Sequence, residues 1–161
     1  MSLVTDYLDA RGIPYEVLRH DPSITALEEA RRVHMDADHV LKAVVIESTG
    51  RRAVAVVPAT RRLDMDLVRA ALGDPSAHLA TEQDLQADLP SFELGGMPVF
   101  GWLLDAETLV DPSVLERETV VFAAGTRTES VRVRIRDLFQ GEHASFAPLV
   151  AEPDTIEAGS R

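Results

Sequence analysis

Lys42 is the residue of this chain best placed for chemistry. Sixteen of the 161 residues are Lys or Arg, and Lys42 is the single lysine among them. It lies inside the apolar run Val40-Leu41-Lys42-Ala43-Val44-Val45-Ile46, which reads as a buried strand. An ammonium is a compact point charge whose pKa moves when it is desolvated, whereas a guanidinium is a planar fork that stays protonated. An edge-strand lysine that blocks sheet-to-sheet association has the same signature, and residue type leaves both readings open.

A second feature is the loop Leu94-Gly95-Gly96-Met97-Pro98-Val99-Phe100-Gly101, where Gly95, Gly96 and Gly101 place three of the nine glycines within seven residues. Such a loop lets backbone approach a ligand closely and leaves N–H groups for anionic or carbonyl oxygens. It matches neither the phosphate loop nor the dinucleotide fingerprint, and a tight structural turn is the alternative. Other constellations are weaker. His34 and His39 are five apart and do not share a helical face, no HExxH occurs, and no metal site is expected. His20, His78 and His143 are isolated. No GxSxG elbow supports a serine hydrolase, and Asp36 and Asp38 lack the rest of a calcium loop.

The elements that must position these residues alternate between helix and strand. Residues 3–11 form a short amphipathic helix stopped by Gly12, and residues 13–18 a strand. Thr25-Ala26-Leu27-Glu28 is a capping box that opens a helix reaching Val33. Residues 40–47 and 52–57 form a hairpin about Ser48-Thr49-Gly50-Arg51. Helices follow over 64–72 and 81–89, the latter capped by Thr81, then strands over 108–110, 119–124 and 130–135. In the last, Val131, Val133 and Ile135 alternate with Arg132, Arg134 and Arg136, giving one core face and one basic, solvated face. This order predicts a mixed α/β fold, with a curved, mostly antiparallel sheet around one core and helices outside. Alternation puts Lys42 on the side of Val40, Val44 and Ile46.

With 45% hydrophobic residues, the chain is expected to be one domain over 1–147 with a flexible C-terminal tail over 148–161. A net charge of -11 argues against a protein that coats nucleic acid. No apolar run spans a bilayer, so a cytoplasmic protein with no membrane partner is expected. The absence of cysteine removes disulfides and thiolate nucleophiles.

In order and spacing, several motifs resemble the YbaK/ProX family of aminoacyl-tRNA deacylases, which is similar to the editing domain of bacterial prolyl-tRNA synthetases. They are His20-Asp21-Pro22 with Thr25, Val40-Leu41-Lys42, Val57-Pro58-Ala59-Thr60-Arg61-Arg62-Leu63-Asp64 leading to Ala71-Leu72-Gly73, Gly95 to Gly101, Ala123-Ala124-Gly125, and Asp137-Leu138. The likeness runs over residues 3–139. It implies a barrel-like sheet and a stand-alone hydrolase that cuts the ester of mischarged tRNA, of tRNA(Pro) type, without a cofactor. It further implies that Lys42 is the invariant catalytic lysine, with free N–H groups around Gly96 and Gly101 as further donors. His20, Thr25, Gly95, Gly96, Val99, Gly101, Gly125 and Ser130 would bind the substrate. The implied partners are the 3′ terminal adenosine and aminoacyl group of aminoacyl-tRNA, and an aminoacyl-tRNA synthetase, but not DNA. The chain departs from the family at Val99, where many members carry proline. It departs again at Leu18 and Ser130, where cysteinyl-tRNA(Pro) deacylases carry Tyr and Asp, and such changes alter which ester is cut. A non-catalytic module that binds a tRNA 3′ end, a nucleotide or a synthetase is the alternative, and a small-ester hydrolase unrelated to tRNA a third.

Overall fold

The computed structural model describes residues 2–139 and 144–151; His143 and residues 152–161 lie outside them. Helix α1 (Leu3–Ala10) starts at a capping box of Ser2 and Thr5 and buries Val4 and Leu8. Strand β1 (Glu16–Arg19) and helix α2 (Ala26–Arg32) follow. Next come the hairpin of β2 (Leu41–Ser48) and β3 (Arg51–Pro58), helix α3 (Met65–Leu72), strand β4 (His78–Leu79) and helix α4 (Glu82–Asp88). Strands β5 (Glu107–Val110), β6 (Thr119–Ala123), β7 (Glu129–Arg134) and β8 (Ala144–Phe146) complete the described chain. The very short β4 and β8 carry too few residues to show a two-residue period.

The strands form two sheets, in the orders β1-β7-β6 and β4-β2-β3-β5-β8. Pairing is antiparallel except for β3–β5 and β5–β8. The sheets touch at one parallel bridge, Val40 to Val121. Among the described residues the expected barrel-like closure is therefore not found: β1, β4 and β8 remain edges there, and β4 covers β2 only at Ile46 and Glu47.

Both faces of the larger sheet are covered, which is why β3 reads as a continuous apolar run. Val54 and Val56 face the main core with Phe100 and Phe122, while Ala53, Ala55 and Val57 face α3 and Leu149. Phe100 centres the main core, with ring centroids 4.8 Å from Tyr7, 5.1 Å from Trp102 and 5.5 Å from Phe122. Val131 and Val133 of β7 are buried there, while Arg134 is exposed. Packing continues past the tail boundary expected at 148. Leu149 is fully buried, its N–H donates to Asp111 Oδ2 at 2.7 Å, and Ala151 N–H donates to the Arg62 carbonyl at 2.9 Å. An apolar Leu that fills the gap beside α3 gives those residues something to bury. No described helix is long and apolar enough to cross a membrane.

Candidate active site

The unfinished pairing of β2 creates the site. Strand β6 bridges Val40, just before β2 begins, and β4 meets β2 at Ile46, and between those junctions its outer edge has no partner strand among the described residues. The Val40 carbonyl accepts from Ala59 N–H at 2.8 Å on the β3 side, and the Val45 carbonyl accepts from Ala80 N–H at 3.0 Å on the outer side. Strand alternation therefore turns the Ala43 peptide outward with that of Val45. Along this edge runs a cleft of about 300 Å³, with Leu41 to Val45 on one side and Ile24, Glu29, Leu79, Gly95 and Met97 among the facing residues.

Lys42 lines the cleft half-buried, paired across the ladder with Val57. Desolvation holds its ammonium below the usual lysine range, and no carboxylate is paired with it among the described residues. The second buried charge on the cleft is Glu29, 4% exposed. Burial pushes its carboxyl up to about 7, against the opposing effect of the Ser130 hydroxyl, which donates to Glu29 Oε2. Ser130 Oγ also lies 2.9 Å from His20 Nε2, and His20 Nδ1 lies 2.7 Å from the Asp21 carbonyl. Glu82 stands on the exposed rim.

Glu29 was not among the residues expected from sequence, yet a signal for it exists. Ala26, Glu29, Ala30 and Val33 fall at helical spacing on one stripe, so a carboxylate occupies a position that otherwise packs inward. Glu28, its neighbour, faces out and completes the predicted capping box: Thr25 Oγ1 accepts from Glu28 N–H at 3.1 Å, and Glu28 Oε1 accepts from Thr25 N–H at 3.4 Å and also from Ile24 N–H at 2.9 Å. Thr25 thus sets the start of α2 and thereby the position of Glu29.

Of the expected glycines, Gly95 lines the cleft. Its φ is +82°, and a Cβ there would lie 2.7 Å from the Ile24 backbone, so glycine is what seats the loop on the segment leading into α2. The N–H groups of Gly96 and Gly101 themselves are not among the free donors expected around these two glycines. Gly96 N–H donates to the Glu93 carbonyl at 2.8 Å, and Gly101 N–H donates to Thr108 Oγ1 at 2.7 Å. Gly101 serves close packing, since a Cβ would fall 2.6 Å from the Ala106 and Glu107 carbonyl oxygens. Val99 is fully buried in the main core and Gly125 is buried beside Phe92. Neither lines the cleft. Leu18 and Ser130, two of the three departures from the family pattern, face each other across β1 and β7. Among the described residues no three His, Asp or Glu side chains converge to hold a metal ion.

Fold and site define a small mixed α/β domain with a charged cleft at an open strand edge. Residues 20–140 match the aminoacyl-tRNA editing domain family, and the chain belongs to it. Solved structures share the fold. Hypothetical protein APE2540 matches with a TM-score of 0.82 at 20% identity, covering 92% of this chain and 99% of that one. A proposed trans-editing enzyme for prolyl tRNA synthetase gives 0.80 at 24% identity, covering 92% and 95%. A proposed signal transduction protein from Marinobacter aquaeolei VT8 gives 0.66 at 18% identity, covering 93% of this chain and 31% of that longer one.

Proposed function

We propose that the protein is a trans-acting deacylase that hydrolyses the ester linking a wrong amino acid to the 3′ end of tRNA, with tRNA(Pro)-type substrates, in the cytoplasm. The observation that carries this reading is Lys42: a lone ammonium, half-buried and without a carboxylate partner among the described residues, on the cleft of an editing-family domain.

An aminoacyl ester is already activated, so the protein has mainly to orient it and to stabilise negative charge as the carbonyl is attacked. Water supplies the nucleophile and ends in the released carboxyl group, while the ribose oxygen leaves and takes up a proton; the neighbouring ribose hydroxyl can orient that water. Lys42 provides a cation for the developing oxyanion or the terminal phosphate. The outward Ala43 peptide, one residue along the same edge, takes the donor role that Gly96 and Gly101 do not fill. Apolar walls from Ile24, Leu79 and Met97 receive a small side chain and help to exclude bulk water.

The test is deacylation of a panel of mischarged tRNAs, beginning with alanyl-tRNA(Pro) and cysteinyl-tRNA(Pro) with correctly charged controls, by wild type and Lys42→Ala. Loss of one oxyanion contact costs on the order of a hundredfold to a thousandfold in rate, and the variant is expected to fall by that much. Equal turnover by both proteins refutes the role of Lys42. The net charge of -11 and the internal bonding of Gly96 and Gly101 favour a second reading, a binding module for the 3′ end. Retained tRNA binding with no hydrolysis across the panel would select it.

A further inference from the structure

Glu29 is a buried carboxylate on a cleft where substrate would sit, and no cation of the described chain is paired with it. A buried charge of this kind is costly unless something compensates it. Lys42 lines the same cleft but forms no ion pair with it among the described residues, so both groups are available to a ligand that enters the cleft. An aminoacyl ester carries matching groups: an α-ammonium beside a carbonyl that gains negative charge during attack.

We propose that Glu29 binds the α-ammonium of the aminoacyl ester, with Ser130 and His20 holding its carboxylate in place; the inference rests on the deacylase reading above.

The groups behind Glu29 suit this task because their hydrogen bonds can be satisfied in two states. With Glu29 neutral, its O–H donates to Ser130 Oγ, the Ser130 hydroxyl donates to His20 Nε2, and Nδ1–H donates to the Asp21 carbonyl. With Glu29 charged, the Ser130 hydroxyl donates to the carboxylate and Nε2–H donates to Ser130 Oγ, while Nδ1–H keeps its acceptor. The second state differs from the first by one proton shifted from the carboxyl to Ser130 and one from Ser130 to the imidazole, so the net transfer is from Glu29 to His20. Arrival of an ammonium favours the charged carboxylate, to which the Ser130 hydroxyl then donates. Ser130 and His20 therefore act through Glu29 as positioning residues; Ser130 is itself fully buried.

The consequence is selection for a free α-amine. N-blocked esters such as peptidyl-tRNA, and α-hydroxyacyl esters, would leave Glu29 without its partner. The experiment pairs each ester of the mischarged panel with its α-hydroxy counterpart, alanyl-tRNA(Pro) with lactyl-tRNA(Pro) first, and normalises each kcat/KM to the uncatalysed rate, because an α-ammonium itself activates the ester. Wild type is expected to prefer the amino ester by on the order of 100-fold, the usual worth of a buried charge-assisted hydrogen bond. Glu29→Gln is expected to reduce that preference to a few-fold, and Ser130→Ala to reduce it partway. No preference in wild type overturns the proposal without any variant. Equal loss on both esters in Glu29→Gln, or collapse of the preference in Glu82→Gln instead, overturns it too. Hydrolysis of no ester in the panel would instead remove the deacylase reading on which it rests.

Discussion

Glu29→Gln also carries a stability prediction that does not depend on catalysis. Burial lifts this carboxyl from its ordinary 4.5 to about 7 in the folded protein. Below pH 4.5 the group is protonated in both states, and the folded protein bears no penalty from it. Between 4.5 and 7 the unfolded chain ionises while the folded chain keeps its proton, so unfolding releases a proton and stability falls as pH rises. Above pH 7 both states are charged and the loss is complete. At about 1.4 kcal/mol per tenfold change in proton affinity, the rise amounts to about 3 kcal/mol. Glutamine keeps an acceptor for Ser130 and has no charge to bury. Urea unfolding of both proteins at intervals from pH 4.5 to 8 should show the variant gaining on wild type by about 3 kcal/mol across the window. Groups common to both proteins drop out of that difference. A difference that stays constant with pH would refute the reasoning, because it would mean that Glu29 is not desolvated as its burial implies.

Two further substitutions test the scaffold. Gly101→Ala would drive a Cβ to 2.5 Å from Thr108 Oγ1, and such overpacking costs about 1–3 kcal/mol; an unchanged urea midpoint would contradict the close approach. Leu149→Ala empties a fully buried site beside α3 and should cost about 2–5 kcal/mol. A loss below about 0.5 kcal/mol, the level of surface substitutions, would mean that this segment is not part of the packed domain.

The sequence carried most of the elements because their signals are local. Thr25 with Glu28, Asp64 before α3 and Thr81 before α4 each read as helix starts, and each caps a helix. The hairpin of β2 and β3 was legible from its polar turn. Lys42 was legible because a lone ammonium in an apolar run is conspicuous. What escaped notice depends on contacts between distant segments. The Glu29–Ser130 bond joins residues 101 apart in the chain, and only the capped start of α2 together with the β1–β7 register brings them together. The glycine loop misled for a related reason. Three glycines show that the chain comes close to something, and here that is the protein's own neighbouring segments, where the N–H groups of Gly96 and Gly101 find their acceptors.

The surface charges explain how an acidic protein could work on an RNA end. Arg51 pairs with Glu107 at 2.8 Å, Arg117 with Asp38 at 2.9 Å, and Arg52 with both Glu47 and Asp88. These guanidinium groups are committed to carboxylates of the same chain, and gripping an RNA body with them would first require breaking those pairs. Affinity for phosphate scales with the number of cations offered, so these three arginines contribute little to holding a tRNA body. On the proposed reading, recognition would concentrate at the cleft, where Lys42 and Glu29 provide one charge of each sign within apolar walls. On the deacylase reading proposed above, a terminal ester would be read there by its size and its two charged ends.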